Sequence, residues 1–281
     1  MAEKWTCPEH GTEYGHGVPD WTTITPACPD CLKVAHAEEQ RLHHAHRAYL
    51  WWREDSNVPR RCRSALAGAI HPVDASAKRL ATAVGQYAEH VRERYREGSG
   101  LVLLGPPGTG KTLALAALVN EVCKLGFRAQ YMAWPEALTA MKDGMRADAS
   151  DPRRGLLDSL KSVDLLALDE LAVRVNATDW EMAQLFELID ARYRQELPTL
   201  VASNATRATL PQAVGDRVAD RLIEMGPTLV LTGSSQRGKI ACSGPPAMSP
   251  PPDQATARIH CNGEWTTRQF NAPDFAERYL P

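Results

Sequence analysis

Gly105-Pro-Pro-Gly-Thr-Gly-Lys-Thr112 fits the pattern G-x-x-x-x-G-K-[ST] in full. Backbone N–H groups of Gly105, Pro106, Pro107, Gly108, Thr109 and Gly110, prolines excepted, form a cradle for a β-phosphate. Lys111 neutralises β/γ charge and the Thr112 hydroxyl holds Mg²⁺. A helix starting at Lys111 adds partial positive charge toward the anion. The matching acidic element is Val163-Asp-Leu-Leu-Ala-Leu-Asp-Glu170. An apolar strand ending in Asp169 brings a carboxylate to the magnesium position, and Glu170 beside it suits the general base that polarises an attacking water. That adjacent acid favours ATP hydrolysis over transfer to a small acceptor. No Asn-Lys-x-Asp guanine-reading motif is present, which argues against GTP.

Asn204 follows the strand-like run Leu200-Val-Ala-Ser203, where its amide would orient the attacking water or simply serve the turn. Asp216-Arg-Val-Ala-Asp-Arg-Leu222 sets Arg217 and Arg221 one helical turn apart, and Arg237 lies beyond the last strand of the region. An arginine supplied by a neighbouring subunit stabilises transition-state charge on a γ-phosphate.

A second chemistry sits near the amino end. Cys7-Pro-Glu-His10 and Cys28-Pro-Asp-Cys31 are two ligand pairs, each able to grip one tetrahedral Zn²⁺ from a tight knuckle. The segment is small and Gly/Pro-rich, so a metal would contribute its folding energy. His16 and His36 are alternatives to His10 as fourth ligand. Four protein ligands leave no open position, which points to structural rather than catalytic zinc. His43, His44 and His46 are spread around the following helix by their spacing and read as surface residues.

These groups need elements to position them. Residues Gly100–Leu104, Phe127–Ala133, Val163–Leu168, Thr199–Ser203 and Thr228–Thr232 read as strands. Helical patterns fall over Lys111–Leu125, from Pro135, Asp179–Glu196 and Pro211–Met225. Alternation of this kind predicts an α/β fold of the P-loop NTPase type, a parallel sheet covered by helices. A helix over Leu32–Glu54 follows the knuckles and ends in Tyr49, Leu50, Trp51 and Trp52. After Lys239 the chain turns Pro-rich and reads as a semi-rigid linker, followed by a tail holding Ile259-His-Cys-Asn-Gly-Glu-Trp265. That tail is expected to be either a partner-binding motif or a packed extension. The expected organisation is 1–65 for a zinc-binding and helical module, 66–238 for the ATPase core and 239–281 for linker and tail.

The whole chain has 281 residues, 43% hydrophobic and 23% charged, a globular composition long enough for one full domain and something smaller. Lys+Arg 32 against Asp+Glu 34 gives a net charge of −2, so no global basic field advertises nucleic acid. No secretory h-region or membrane-length apolar run is visible, and the seven cysteines suit a reduced, cytoplasmic setting.

Together the phosphate loop, Val58-Pro-Arg-Arg61, Lys161-Ser-Val-Asp-Leu-Leu-Ala-Leu-Asp-Glu170, Ala202-Ser-Asn204, Asp216-Arg-Val-Ala-Asp-Arg221 and Ser234-Ser-Gln-Arg237 resemble the DnaC-type replicative helicase loaders of the AAA+ class and the related IstB-type transposition ATPases. The resemblance covers about two thirds of the chain. It implies a five-stranded parallel core and ATP-dependent self-association in a spiral. The partners it implies are a replicative helicase hexamer and single-stranded DNA. It also implies a trans arginine finger at Arg221 and a nucleotide sensor at Arg237, although Ser235-Gln236 stands where the family usually shows Ser-Tyr. In loaders the amino-terminal region docks on the helicase, so Trp51 and Trp52 are read either as docking residues or as core. Met141–Leu160 would correspond to an insertion lining a DNA path, with Lys142, Arg146, Arg153 and Arg154 as its cations. A loader of a phage or prophage replication module is the expectation. The alternative is a transposition helper that recruits a transposase to DNA.

Overall fold

The structure, a computed structural model, describes residues 4–15, 27–147, 151, 155–171, 177–233, 235 and 245–271. In chain order the elements are β1 (Lys4–Thr6), β2 (Glu13–Gly15), α1 (Pro29–Glu54), α2 (Ala75–Glu89), α3 (Val91–Arg96), β3 (Leu101–Leu104) and α4 (Lys111–Lys124). Next come β4 (Ala129–Ala133), α5 (Trp134–Arg146), α6 (Leu156–Ser162), β5 (Leu165–Leu171), α7 (Asp179–Arg194) and β6 (Thr199–Ser203). The chain finishes with α8 (Leu210–Val214), α9 (Asp216–Met225), β7 (Thr228–Val230), β8 (Gln254–Cys261) and β9 (Glu264–Asn271). No helix among the described residues is long and apolar enough to cross a membrane.

Two compact units result, 1–49 with 250–281 and 50–249. This differs from the three consecutive segments expected, because the tail joins the amino-terminal residues in one unit. The larger unit holds a five-stranded parallel sheet in the order β4-β5-β6-β3-β7, as the family resemblance implies. Strands β3, β4 and β6 are buried along their whole length, as a helix-covered parallel sheet requires, whereas the edge strand β7 is partly open. One face buries Val102, Leu104, Leu166, Leu168 and Val201 against Trp134, Leu138, Leu185, Ile189 and Leu222 of α5, α7 and α9. On the other, α4 lies along β4, β5 and β6 and packs against α2.

One helix was expected over 211–225, yet the chain breaks it at Gly215, whose φ of 85° is left-handed and separates α8 from α9. The last turn of α1 belongs to the larger unit. There Trp52 is buried and its indole N–H donates to Asn120 Oδ1 at 2.7 Å, while that of Trp51 donates to the Ala129 carbonyl at 3.0 Å. Of the two readings of the Trp pair, docking or core, these contacts favour core: both indoles are hydrogen-bonded within the larger unit.

The smaller unit is a pair of antiparallel hairpins and most of α1. β1 pairs with β2, and β8 with β9 in register from Gln254↔Asn271 to Cys261↔Glu264. Its core is Cys7, Tyr14, Ala27, Cys28, Cys31, Ala35, Leu42, Ile259 and Phe270. His46, expected at the surface, is buried, and its ring Nε2 donates to the Pro252 carbonyl at 2.8 Å.

Candidate functional site

The phosphate loop links β3 to α4 at the carboxyl edge of the sheet, where ligands of parallel α/β folds bind. Its glycines are required by shape. Gly105, Gly108 and Gly110 have φ of 145°, 86° and 93°, and a Cβ at Gly108 would stand 2.2 Å from Ser235 Oγ. Lys111 is buried at the start of α4 and donates through Nζ to the carbonyls of Gly105 (2.7 Å) and Pro106 (2.9 Å). Burial pushes its ammonium below the usual lysine range, opposed by the charge of Asp169. Thr109 Oγ1 closes the turn onto the Pro106 carbonyl at 3.0 Å.

Strand β5 delivers the acid pair, with β6 lying between it and β3. Thr112 Oγ1 donates to Asp169 Oδ2 at 2.6 Å. A hydroxyl and a carboxylate in contact at a phosphate loop are the hard oxygen donors magnesium takes, so the residues fit that ion. Tyr131 on β4, not foreseen from the sequence, donates its phenol to the same Oδ2 at 2.8 Å. Burial, then the Asp169 charge, pushes the Tyr131 phenol up, which keeps it a donor. Asp169 Oδ1 accepts the Glu170 amide at 2.8 Å, so the carboxylate is held on both oxygens.

Glu170 itself is exposed, with φ of 57°, at a register shift of the β5–β6 pairing between Leu168 and Leu171. A bulge of this kind re-aims a side chain, and left-handed backbone at a non-glycine costs about 1 kcal/mol or more. Asn204 is exposed just beyond β6.

The two arginines of α9 differ. Arg221 ion-pairs with Asp190 of α7 and lies over the rings of Phe186 (4.9 Å) and Tyr193 (5.6 Å), whereas Arg217 is exposed. Arg237, Arg153 and Arg154 lie outside the described residues. Lys142, expected as a phosphate-facing cation, is committed elsewhere. Its Nζ pairs with the buried Glu181 at 2.8 Å and lies over the Trp180 ring, so its charge balances α7.

In the smaller unit, Cys7, His10, Cys28 and Cys31 place four ligand atoms within 4.8 Å of one another. His10 Nδ1 is 3.5 Å from Cys7 Sγ, 3.5 Å from Cys31 Sγ and 4.0 Å from Cys28 Sγ, and the Cys7 and Cys31 sulfurs are 3.7 Å apart. A zinc tetrahedron with bonds of about 2.3 Å to sulfur and 2.0–2.1 Å to nitrogen has edges of roughly 3.5–3.8 Å, so the donor set fits. His36 is exposed on α1 beside Gln40 and Glu39, away from the cluster, and His16 lies outside the described residues.

The chain is 29% identical over 140 residues to the replicative helicase loader DnaC of Escherichia coli K12, across 50% of this chain and 56% of that one. It is 30% identical over 132 residues to the phage-like element PBSX protein XkdC of Bacillus subtilis 168, across 45% and 47%. The chain thus spans about half the length of these curated relatives. A crystal structure of the DnaC helicase loader superposes with a TM-score of 0.56 at 23% identity, covering 62% of this chain and all of that one, a likeness of fold. The model of the IstB-like ATP binding protein family matches residues 90–242. That segment is more than half of the sequence and carries the phosphate loop, the acid strand and the arginine helix. The chain belongs to the IstB-like ATP binding protein family.

Proposed function

We propose that this protein hydrolyses ATP to load a replicative DNA helicase onto single-stranded DNA during replication initiation, nucleotide state setting its grip on both partners. The observation that carries the reading is the contact of Thr112 with Asp169 beside the Lys111 loop, in a chain related to helicase loaders. The loop from Gly105 to Gly110 binds the phosphates with Lys111. Thr112 and Asp169 hold Mg²⁺, which when bound offsets phosphate charge. Glu170 takes the proton of the attacking water, Asn204 orients that water, and Arg237 senses the nucleotide. Arg221, pre-aligned by Phe186 and Tyr193, exchanges Asp190 for the γ-phosphate of a neighbouring subunit, so turnover depends on self-association. Zinc held by Cys7, His10, Cys28 and Cys31 stabilises the smaller unit, which docks on the helicase. The likeness to a phage-element protein supports a phage or prophage setting.

The test is a pull-down from host lysate with Glu170→Gln protein held in ATP, partners being identified by mass spectrometry. The expected result is turnover lost, nucleotide binding kept, and capture of a hexameric replicative helicase that disappears with Cys28→Ser. Capture of a transposase on duplex DNA would replace this reading with that of an IstB-type transposition helper, which the family match also accommodates.

A further inference from the structure

The metal cluster is gripped from the far end of the chain. Where β8 ends, the Ala27–Cys28 segment runs beside it as a further antiparallel neighbour: Ala27 bridges Cys261, and the Cys28 amide donates to the His260 carbonyl at 3.0 Å. His260 thus supports Cys28 through its backbone carbonyl, and its neighbour Cys261 supports Ala27. The His260 ring is fixed in turn. Tyr14 OH lies 2.7 Å from His260 Nδ1, and the Trp265 ring meets the imidazole edge-on at a centroid distance of 5.1 Å. The Gly263 amide donates to the same Tyr14 oxygen at 3.4 Å, and a Cβ at Gly263 would stand 2.9 Å from the Trp5 ring. His260, Ile259 and Phe270 are all buried.

Taking the four-residue cluster as a zinc site, as proposed above, we infer that the β8–β9 hairpin is the outer shell of the metal centre. His260 and Tyr14 act as positioning residues, and the last strands of the chain control how tightly the metal is kept. The chemistry is general. A ligand whose backbone is pinned, as that of Cys28 is by the His260 carbonyl, loses less freedom on binding. Loss of such outer partners typically lowers metal affinity about 10–100-fold. The Pro-rich stretch before β8 then serves as a tether to this second half of the site.

Full-length protein is purified with zinc. Its zinc content is measured by elemental analysis, and transfer to the chelator 4-(2-pyridylazo)resorcinol is followed by absorbance. Two variants are compared: a chain ending at Asp253, and Tyr14→Phe in the full chain. Transfer about 10-fold faster or more is expected from the shortened chain, and a smaller acceleration in the same direction from Tyr14→Phe. Binding of an ATP analogue by the larger unit should stay unchanged in both, which separates metal loss from general misfolding. One zinc per chain with unaltered transfer in both variants would overturn the inference and leave the zinc reading standing. Unmodified protein that binds no zinc would overturn that reading itself.

Discussion

At the residue scale, the acid end of β5 is the most constrained point of the candidate site. Asp169 Oδ2 accepts from Thr112 and Tyr131 together, and Oδ1 holds the amide of a backbone-strained Glu170. Tyr131→Phe removes one hydrogen bond to a buried carboxylate, worth about 1.5–3 kcal/mol where a charged group is involved. The magnesium concentration for half-maximal ATP turnover should rise about 10-fold or more while kcat changes little. An unchanged magnesium titration would mean that the phenol only fills space. The loop, Asp169 and Glu170 were legible in the sequence because a phosphate loop and an acid-ended strand have fixed residue patterns. Tyr131 was not, since a Tyr in a five-residue apolar strand is an ordinary core residue until the neighbouring strand is known. Nor could the spacing of Arg217 and Arg221 tell that one lies against the rings of Phe186 and Tyr193 and the other is exposed, a difference made by α7.

At the element scale, Arg192 of α7 replaces what an apolar residue would do by packing alone. Fully buried, it donates to the carbonyls of Leu160, Val163 and Pro198 and to Thr199 Oγ1, tying α6 and the starts of β5 and β6 together. Burial pushes its guanidinium down to about 9, the mark of a cation held by oxygens with no carboxylate in contact. Arg192→Leu strands those acceptors and should cost about 3–5 kcal/mol in urea denaturation. A loss below about 1 kcal/mol would show that water or neighbours replace the fork. The order and type of β3–β7 and of α1, α4, α5 and α7 followed from hydrophobic runs and Gly/Pro punctuation, whereas β1, β2, α2, α3 and α6 did not. Nor did the break at Gly215 and the β8–β9 hairpin. For the hairpin the signal was present: Asn262-Gly263, with φ of 49° and 80°, is the mirror-image turn that right-twisted strands prefer, flanked by alternating residues. The tail is read above as either a partner-binding motif or a packed extension, with no strands assigned to it, and the hairpin packs it.

For the whole molecule, the division into two units places the candidate metal cluster and the phosphate loop in separate cores. A chelator strong enough to strip zinc should therefore melt one core and spare the other. Hydrogen exchange should show amides near Cys7, Tyr14, Leu42, Ile259 and Phe270 losing protection, while those of β3, β5 and β6 keep theirs. Uniform loss across both units would contradict the separation. Periodicity alone made the parallel-sheet core legible. The pairing of the two chain ends lies beyond any local pattern, because the contacts that carry it join residues as far apart as Tyr14 and His260.

That distance has a consequence for how the protein is made. Tyr14 and His260 are 246 residues apart, so at roughly 5–20 residues per second a ribosome takes about 12–50 s to travel between them. Throughout that interval the three cysteines of the knuckles have left the exit tunnel, or are leaving it, without the strand that later covers them. The larger unit can fold while its smaller companion waits. The knuckle cysteines thus emerge long before β8, and only when that strand arrives do Ala27 and Cys28 gain their backbone neighbour.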